Sequence, residues 1–342
     1  MKFKNFIKWM SDIDYRNFPG FSQSILKGLA DDGPSSLLDK KEIKSTALEF
    51  GSLVDIIITD PENRDNIFYT NSIEKPTASL LVLADELLKD HYALDYTYEQ
   101  ITDKEYVIEK IKNLGLWSKS KDDNLLSKFD NDLFYTYIYS VIDAEGKIIC
   151  TPALVEAAEH CADVLLTHPY TKELFDETDD IEVLKQVPVF YKINGEEGKG
   201  KIDLLRIDHK KKLISIYDIK TGSELPSNFE NSFYFFKYYL QVISYILGVQ
   251  YMIETIPELN EYSIDKFRFI YISKKLPDTP CIYEVNEELL LSFLDGWRDG
   301  TGRYNKGFIQ LVDEYSFYIK NGIYNTEKKI LDNNGILNIT LS

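Results

Sequence analysis

Two short stretches decide the fold: Lys-Gly-Lys-Ile-Asp at residues 199–203 and Tyr-Asp-Ile-Lys at residues 217–220. Around them, short segments rich in valine, isoleucine, leucine and tyrosine alternate with turn residues such as Asn194-Gly195. This alternation predicts consecutive antiparallel β-strands, with the two stretches on neighbouring strands. The predicted strands cover residues 187–191, 201–207 and 213–219.

Helical spacing of apolar residues dominates the chain on both sides of this strand meander. Before it, residues 77–168 have a helical pattern, and after it a long apolar and aromatic helix is predicted from Phe233 to about Ile253. Further along we expect two strands and a mostly helical stretch, at residues 267–273, 281–285 and 287–320. The order of elements predicts an α/β or α+β core with a helical N-terminal extension.

A chain of 342 residues is compatible with one elaborated domain or with two smaller ones. We expect a single elaborated domain over residues 1–342. Its expected parts are a mainly helical N-terminal part, a central part with the meander, the long helix and the following strands, and a C-terminal helical part, at residues 1–180, 181–286 and 287–342.

The composition is that of a folded, soluble protein. Hydrophobic residues make up 44% of the chain and aromatic residues 13%, which excludes disorder for most of it. No apolar run reaches the roughly 18 residues that a membrane span needs, and the first residues lack the apolar region of a signal peptide. The three cysteines have no paired spacing, so we expect a reducing, intracellular compartment.

The net charge of −17 argues at first against a nucleic-acid partner. The charge is unevenly distributed, however, because residues 181–225 contain nine Lys/Arg and seven Asp/Glu. A locally positive patch on an acidic protein is therefore compatible with the sequence, and the total charge does not decide the question.

Three residues, Asp203, Asp218 and Lys220, indicate a candidate catalytic site. Asp218 and Lys220 are two residues apart on one strand, so their side chains leave the same face, and hairpin pairing can bring Asp203 beside Asp218. Two carboxylates with an ammonium beside them suit metal-assisted cleavage of a phosphodiester, because hard oxygen ligands hold Mg²⁺ and the ion activates a water. The lysine can orient that water or donate to the developing oxyanion.

An acid-x-Lys triplet is a weak motif by itself, since roughly five are expected by chance in a chain of this composition. Alone it would indicate a solvated ion pair on a surface strand. The long helix that follows strengthens the interpretation, because Gln241 and Tyr245 are four residues apart and share one helix face.

Together these residues resemble the PD-(D/E)xK nucleases, specifically the lambda-exonuclease and RecE-like group. Their order and spacing match that group's pattern from roughly residue 20 to residue 255. The matching positions are Gly51, Asp60-Pro61, Lys199, Gly200, Lys201, Asp203, Asp218, Lys220, Thr221, Gln241 and Tyr245. There are two departures: Asp55 stands where the group has a histidine, and Gln186 stands where it often has an acid.

The resemblance implies a restriction-endonuclease-like core with a central mixed sheet flanked by helices, and it implies a role for each residue. It assigns Lys220 as the catalytic lysine, with Gln241 and Tyr245 positioning the DNA strand or the attacking water. The implied metal ligands are Asp203, Asp218, the backbone carbonyl of Ile219 and, in the histidine position, Asp55. The implied DNA contacts are Lys199, Lys201 and Thr221.

The activity that the resemblance implies is exonuclease digestion of duplex DNA, usually from 5′ to 3′ and dependent on Mg²⁺ (or Mn²⁺). It would prepare single-stranded tails for phage-type recombination, in the cytoplasm of a bacterial host by a phage- or prophage-encoded enzyme. The implied partners are double-stranded DNA ends, a single-strand annealing protein and further copies of the chain in a homo-oligomer. Two alternatives stay open: a binding module that keeps the fold but has lost turnover, and a structure-specific or restriction-like endonuclease.

An aromatic run at residues 233–239 allows two interpretations. Six of its seven residues are aromatic, which covers the whole circumference of a helix, so we expect most of them in the core. Stacking against unpaired bases is the alternative. The four histidines have no zinc-ligand spacing with the cysteines, and no phosphate-binding glycine loop is present, so neither zinc nor ATP use is indicated.

Overall fold

The predicted meander forms, and its strands are longer than the sequence suggests. The structure is a computed structural model that describes residues 2–38 and 45–337. Its strands are β1 Phe21–Ser22, β2 Phe68–Thr70, β3 Ile148–Cys150, β4 Ile181–Ile193, β5 Glu196–Asp208, β6 Leu213–Gly222, β7 Ser263–Ser273, β8 Leu276–Glu284, β9 Gly296–Arg298 and β10 Tyr304–Lys306. The last residues of the predicted C-terminal helical part, 338–342, lie outside the described residues.

Helices account for most of the rest of the described chain. They are α1 Asp12–Asn17, α2 Gln23–Asp32, α3 Thr46–Thr59, α4 Arg64–Ile67, α5 Ala78–Leu94, α6 Tyr98–Ile101, α7 Lys104–Asn113, α8 Asp122–Phe129, α9 Asp132–Asp143, α10 Pro152–Thr167, α11 Phe229–Phe235, α12 Tyr238–Thr255, α13 Leu290–Asp295, α14 Phe308–Asn321 and α15 Lys328–Asp332. None of the described helices combines the length and the apolar character that crossing a membrane requires.

The main sheet is mixed. Strands β4, β5 and β6 pair antiparallel, β6 pairs parallel with β7, β7 pairs antiparallel with β8, and the short β1 runs parallel to β5. The turn between β4 and β5 is tight because Asn194 and Gly195 both have positive φ, as a two-residue hairpin turn requires. The parallel β6–β7 pair needs a crossover, which α11 and α12 supply. The prediction of a central mixed sheet flanked by helices is confirmed.

The long helix predicted from Phe233 to Ile253 is wrong in one respect, because the segment forms two helices. Helix α11 ends at Phe235 and α12 begins at Tyr238. Between them Lys237 adopts a left-handed conformation, with φ of +56°. A left-handed residue ends the regular hydrogen-bonding pattern, so the chain changes direction there.

The described chain divides into two compact units, residues 1–60 with 159–342 and residues 61–158. In the first, α12 packs on the sheet, where side chains such as Val189, Ile202 and Val242 are fully buried. In the second, helices bury their own cluster, including Leu83, Ile111 and Phe134. Two compact units can belong to one domain or to two, so the single elaborated domain stays a prediction.

Candidate active site

A cleft of about 930 Å³ lies at the carboxyl end of β6. It collects residues from α2, α3, β5, β6, α11, α12 and the end of β7. Seven of the ten predicted site residues line it, namely Asp55, Asp203, Asp218, Ile219, Lys220, Thr221 and Gln241. Tyr245, Lys199 and Lys201 are not among the lining residues.

Asp218 and Lys220 lie on one face of β6, as the strand alternation predicts. The Asp218 side chain is fully buried, and its Oδ2 pairs with the Lys220 ammonium. Its Oδ1 accepts a hydrogen bond from Gln241 Nε2 at 2.5 Å. Apart from this ion pair, Oδ2 has no hydrogen-bond partner among the described residues. A buried carboxylate oxygen in this state has unused capacity to bind a ligand.

Asp203 reaches the same site from β5, at the point where the strands separate. The β5–β6 pairing ends at Leu204 and Tyr217. Beyond that pair, Asp203 Oδ2 accepts a hydrogen bond from the Ile219 backbone N–H at 2.8 Å. The side chain thus satisfies a strand N–H that the β5–β6 pairing does not, and this places the carboxylate beside Asp218.

Helix α3 supplies Asp55. The helix begins after Ser45, whose side chain accepts a hydrogen bond from the Leu48 N–H, and it buries one apolar side. Gly51, one turn before Asp55, brings the helix close to the sheet, because a Cβ there would lie 3.2 Å from Thr221 Oγ1. The glycine in the predicted motif therefore has a steric reason: it lets α3 approach β6.

The two departures from the family pattern contact each other. Gln186 Nε2 donates to both carboxylate oxygens of Asp55, at 3.0 and 2.9 Å. Gln186 does so from a left-handed backbone conformation with φ of +52°, in the middle of the otherwise regular strand β4. Such a conformation is unfavourable for a side chain other than glycine, so it is maintained by the surrounding structure.

The three carboxylates hold protons more tightly than isolated ones. Burial raises the pKa of Asp203 well above its usual range, and the charges of Asp218 and Asp55 raise it further. Burial also raises the pKa of Asp218, although Lys220 opposes this. Burial raises the pKa of Asp55 to about 6, with the Lys201 ammonium opposing the rise and the Asp218 carboxylate adding to it. A bound cation would relieve this repulsion.

Lys220 stays protonated in this setting. Burial acts to lower its pKa, but the carboxylates of Asp218 and Asp203 outweigh burial and raise it above the usual range. The ammonium also lies over the Tyr238 ring, 4.8 Å from its centroid. Lys220 is therefore suited to donate a hydrogen bond to an anion and is unsuited to act as a general base.

Gln241 and Tyr245 are close together as predicted, but Tyr245 does not face the cleft. Gln241 Nε2 donates to the Tyr245 hydroxyl at 2.7 Å, and that hydroxyl donates to the Lys201 carbonyl at 2.5 Å. Tyr245 is buried, and a Cβ at Gly200 would lie 2.9 Å from its ring. Tyr245 thus contacts Gln241, which in turn contacts Asp218, and the role of the pair in positioning the DNA strand or the attacking water stays a prediction.

Lys199 and Lys201, two of the predicted DNA contacts, have partners within the protein and do not line the cleft, so their contact with DNA stays a prediction. Lys199 is buried, and its ammonium donates to the carbonyls of Tyr15, Arg16 and Phe18 near the end of α1. Carbonyls at a helix end lack intrahelical partners, which explains why a lysine is held there. Lys201 donates to Asp12 at 2.7 Å. Of the three predicted DNA contacts, Thr221 alone lines the cleft.

Sequence reasoning missed several cleft residues. Lys274 follows β7, and its backbone N–H donates to the Gly222 carbonyl at the end of β6. Because β6 and β7 are parallel, their carboxyl ends meet at one edge, so the predicted strand at 267–273 could have indicated this lysine. The other missed lining residues include Gln23, Lys27 and Lys237, while Phe235, Phe236 and Tyr238 belong to the aromatic run for which base stacking is the alternative interpretation.

The donor set fits a hard divalent cation held by few protein ligands. Asp203 and Asp218 supply carboxylate oxygens, Ile219 lines the same cleft, and Asp218 Oδ2 has unused acceptor capacity. Within residues 2–38 and 45–337, no group of three histidine, cysteine or acidic side chains could itself hold an ion. Mg²⁺ usually keeps several waters and takes one or two carboxylates, so it does not need such a group.

Comparison with known proteins adds little. No family model matches the chain, and no curated protein does. A crystal structure from Eubacterium rectale, described as "Putative exonuclease", is similar with a TM-score of 0.47 and 14% sequence identity. The similarity covers 98% of this chain and 96% of that one. A similarity this weak does not indicate the activity of this protein.

Proposed function

We propose that this protein is a metal-dependent deoxyribonuclease, and specifically an exonuclease that acts on double-stranded DNA ends. The supporting observation is that Asp203, Asp218 and Lys220 meet in one cleft, with the Lys220 ammonium paired to Asp218. Carboxylates beside an ammonium suit hydrolysis of a phosphodiester, which needs a cation site and a donor to the phosphate oxygens.

Each residue of the site has a task in this proposal. Asp203, Asp218 and the Ile219 carbonyl would hold Mg²⁺ or Mn²⁺, with Asp55 adding negative charge nearby. When bound, the ion would lower the pKa of a water and offset charge on the phosphate. Lys220 donates a hydrogen bond to the reacting phosphate, and Gln241 fixes the orientation of Asp218 through the 2.5 Å hydrogen bond.

The cleft also offers a positive group for the DNA backbone. Lys27 and Lys237 both pair with Asp31. Lys274 lies over the Phe50 ring, 3.7 Å from its centroid, and no carboxylate of the described residues forms an ion pair with it. We assign Lys274 as a phosphate contact, because a cation without an acidic partner in an otherwise acidic protein attracts anions locally.

The finer features of the activity rest on the resemblance of the motifs. They are 5′-to-3′ polarity, the preparation of single-stranded tails for phage-type recombination, a single-strand annealing partner, a homo-oligomeric assembly and a location in the cytoplasm of a bacterial host.

One observation favours a second candidate, a DNA-binding module with weak turnover: the Gln186 amide occupies both oxygens of Asp55.

Digestion of linear and closed circular duplex DNA with Mg²⁺ separates the candidates. We expect loss of linear DNA with the circle intact. Cutting of closed circles would instead indicate an endonuclease. Binding without products would indicate the binding module, and neither binding nor products would contradict the proposal as a whole.

Two variants test the site itself. We expect Asp218→Asn and Lys220→Met to slow digestion at least about a hundredfold, because each removes a group that acts on the reacting phosphate or the cation. Lys275→Met is the matched control, since Lys275 is exposed and does not line the cleft. Circular dichroism checks that the variants are folded. Near-wild-type rates in either site variant would show that the site assignment is wrong.

A further inference from the structure

We propose that three aromatic side chains in the cleft, Phe235, Phe236 and Tyr238, form a platform on which an unpaired nucleobase of the bound strand stacks. This aromatic platform begins at the catalytic lysine and ends in solvent. The proposal rests on the proposed function, since it names the part of the substrate that the cleft holds beside the scissile phosphate.

The rings of the aromatic platform form a continuous series. Tyr238 lies under the Lys220 ammonium, 4.8 Å from ring centroid to Nζ. Phe236 stacks on Tyr238, with centroids 5.6 Å apart and planes at 26°. Phe235 then meets Phe236 edge-on at 5.0 Å. A base stacked on the exposed Phe235 would lie at the outer end of this series, two rings away from Lys220.

The outer rings of the platform are exposed, contrary to the expectation that the aromatic run is mostly core. Phe233 and Tyr239 are buried as expected, but Phe235 is 75% exposed and Phe236 43% exposed. Both exposed rings lie at the end of α11, just before the helix break at Lys237, where the regular alternation of buried and exposed helix faces stops. Keeping an apolar ring in water is unfavourable, so an exposed pair that lines a cleft indicates a ligand.

The combination of exposed rings and cationic side chains in the cleft favours a nucleotide as the ligand. Lys274, which forms no ion pair among the described residues, lines the same cleft and suits a phosphate of the bound strand, whereas Lys237 lines it in an ion pair with Asp31. Rings that stack beside cationic groups are the usual arrangement for single-stranded nucleic acid, because every base presents an aromatic face.

Stacking can be measured directly with a fluorescent base. Full-length protein carrying Asp218→Asn binds a duplex with a short single-stranded end that contains 2-aminopurine, and Phe235 is then varied in that background. We expect Phe235→Ala to weaken binding about tenfold and to abolish the quenching of 2-aminopurine, and Phe235→Trp to restore both. Phe235→Leu separates stacking from apolar contact, because leucine keeps the apolar volume but has no aromatic face.

Tyr170→Ala is the control, because Tyr170 is 67% exposed and does not line the cleft. The proposal is supported if Phe235→Leu behaves like Phe235→Ala while the control behaves like the parent. It is overturned if Phe235→Leu or Phe235→Ala binds and quenches like the parent, which would leave the nuclease proposal intact. If the wild-type protein neither binds nor digests DNA, the nuclease proposal fails first, and the stacking proposal fails with it.

Discussion

Asp203 shows how one residue links stability to function. Its carboxylate is held beside those of Asp218 and Asp55, and its pKa is raised by burial and by both neighbours. Buried like charges destabilise the metal-free fold, so the same arrangement that suits a cation is unfavourable without one. A site of this kind is retained for what it binds, at the expense of stability.

We therefore predict that Asp203→Asn stabilises the metal-free protein at pH 7, by about 1–2 kcal/mol. The asparagine oxygen can still accept the Ile219 N–H, but the repulsion is removed. The raised pKa of Asp203 means that, above about pH 4, the native state binds more protons than the unfolded state. The free energy of unfolding of the wild type therefore falls as the pH rises above that value. The stabilisation of Asp203→Asn relative to the wild type should therefore be small at pH 4.5 and larger at pH 7.

Urea unfolding in EDTA at the two pH values measures this effect. Asp179→Asn, at an exposed position before β4, is the matched control and should leave the pH profile unchanged. Adding Mn²⁺ should stabilise the wild type more than Asp203→Asn. A variant that is less stable than the wild type at pH 7 would contradict the idea that the carboxylates repel one another.

At the scale of elements, the break between α11 and α12 determines which aromatic side chains are exposed. The apolar pattern of residues 233–253 predicted one helix because both segments are helical and only two residues separate them. The break depends on one left-handed residue, Lys237, whose side chain pairs with Asp31 on α2. That long-range ion pair leaves no local signature in the sequence.

We predict that Lys237→Gly is more stable than Lys237→Ala by about 1 kcal/mol. Both variants lose the ion pair with Asp31, so their difference reports the backbone alone. Glycine adopts a positive φ without steric cost, whereas alanine does not. Thermal unfolding of the two variants measures the difference, and a more stable alanine variant would mean that the helix runs through residue 237 unbroken.

At the scale of the whole molecule, the second compact unit contributes no lining residue to the cleft within the described part of the chain. All lining residues of the cleft lie outside residues 61–158. Residues 61–158 bury their own apolar cluster, in which Leu83, Leu87 and Phe134 are fully buried, and they contain the paired strands β2 and β3.

We predict that residues 61–158 fold as an isolated fragment. The fragment should have a helical circular dichroism spectrum and unfold cooperatively, because a core made of its own side chains needs no partner. Thermal unfolding with a defined baseline on each side measures this. A fragment with a random-coil spectrum would show that the unit depends on the rest of the chain and would favour the single elaborated domain.

The sequence by itself determined the strand meander, the positions of Asp203, Asp218 and Lys220 on it, and the Gln241–Tyr245 pair. These follow from short-range rules: alternation along a strand, a tight hairpin turn and helical spacing. Strand pairing then brings Asp203 and Asp218 together, because neighbours in a hairpin have a fixed register.

Only the tertiary structure decided which of the motif residues face the cleft and which serve as supports. Lys199, Lys201 and Tyr245 share the motif with the cleft residues but bind backbone carbonyls or Asp12. The tertiary structure also places the Gln186 amide in hydrogen-bond contact with Asp55 and leaves Phe235 exposed. These outcomes depend on contacts between segments far apart in the chain, where the partner of a side chain is set by packing and not by local spacing.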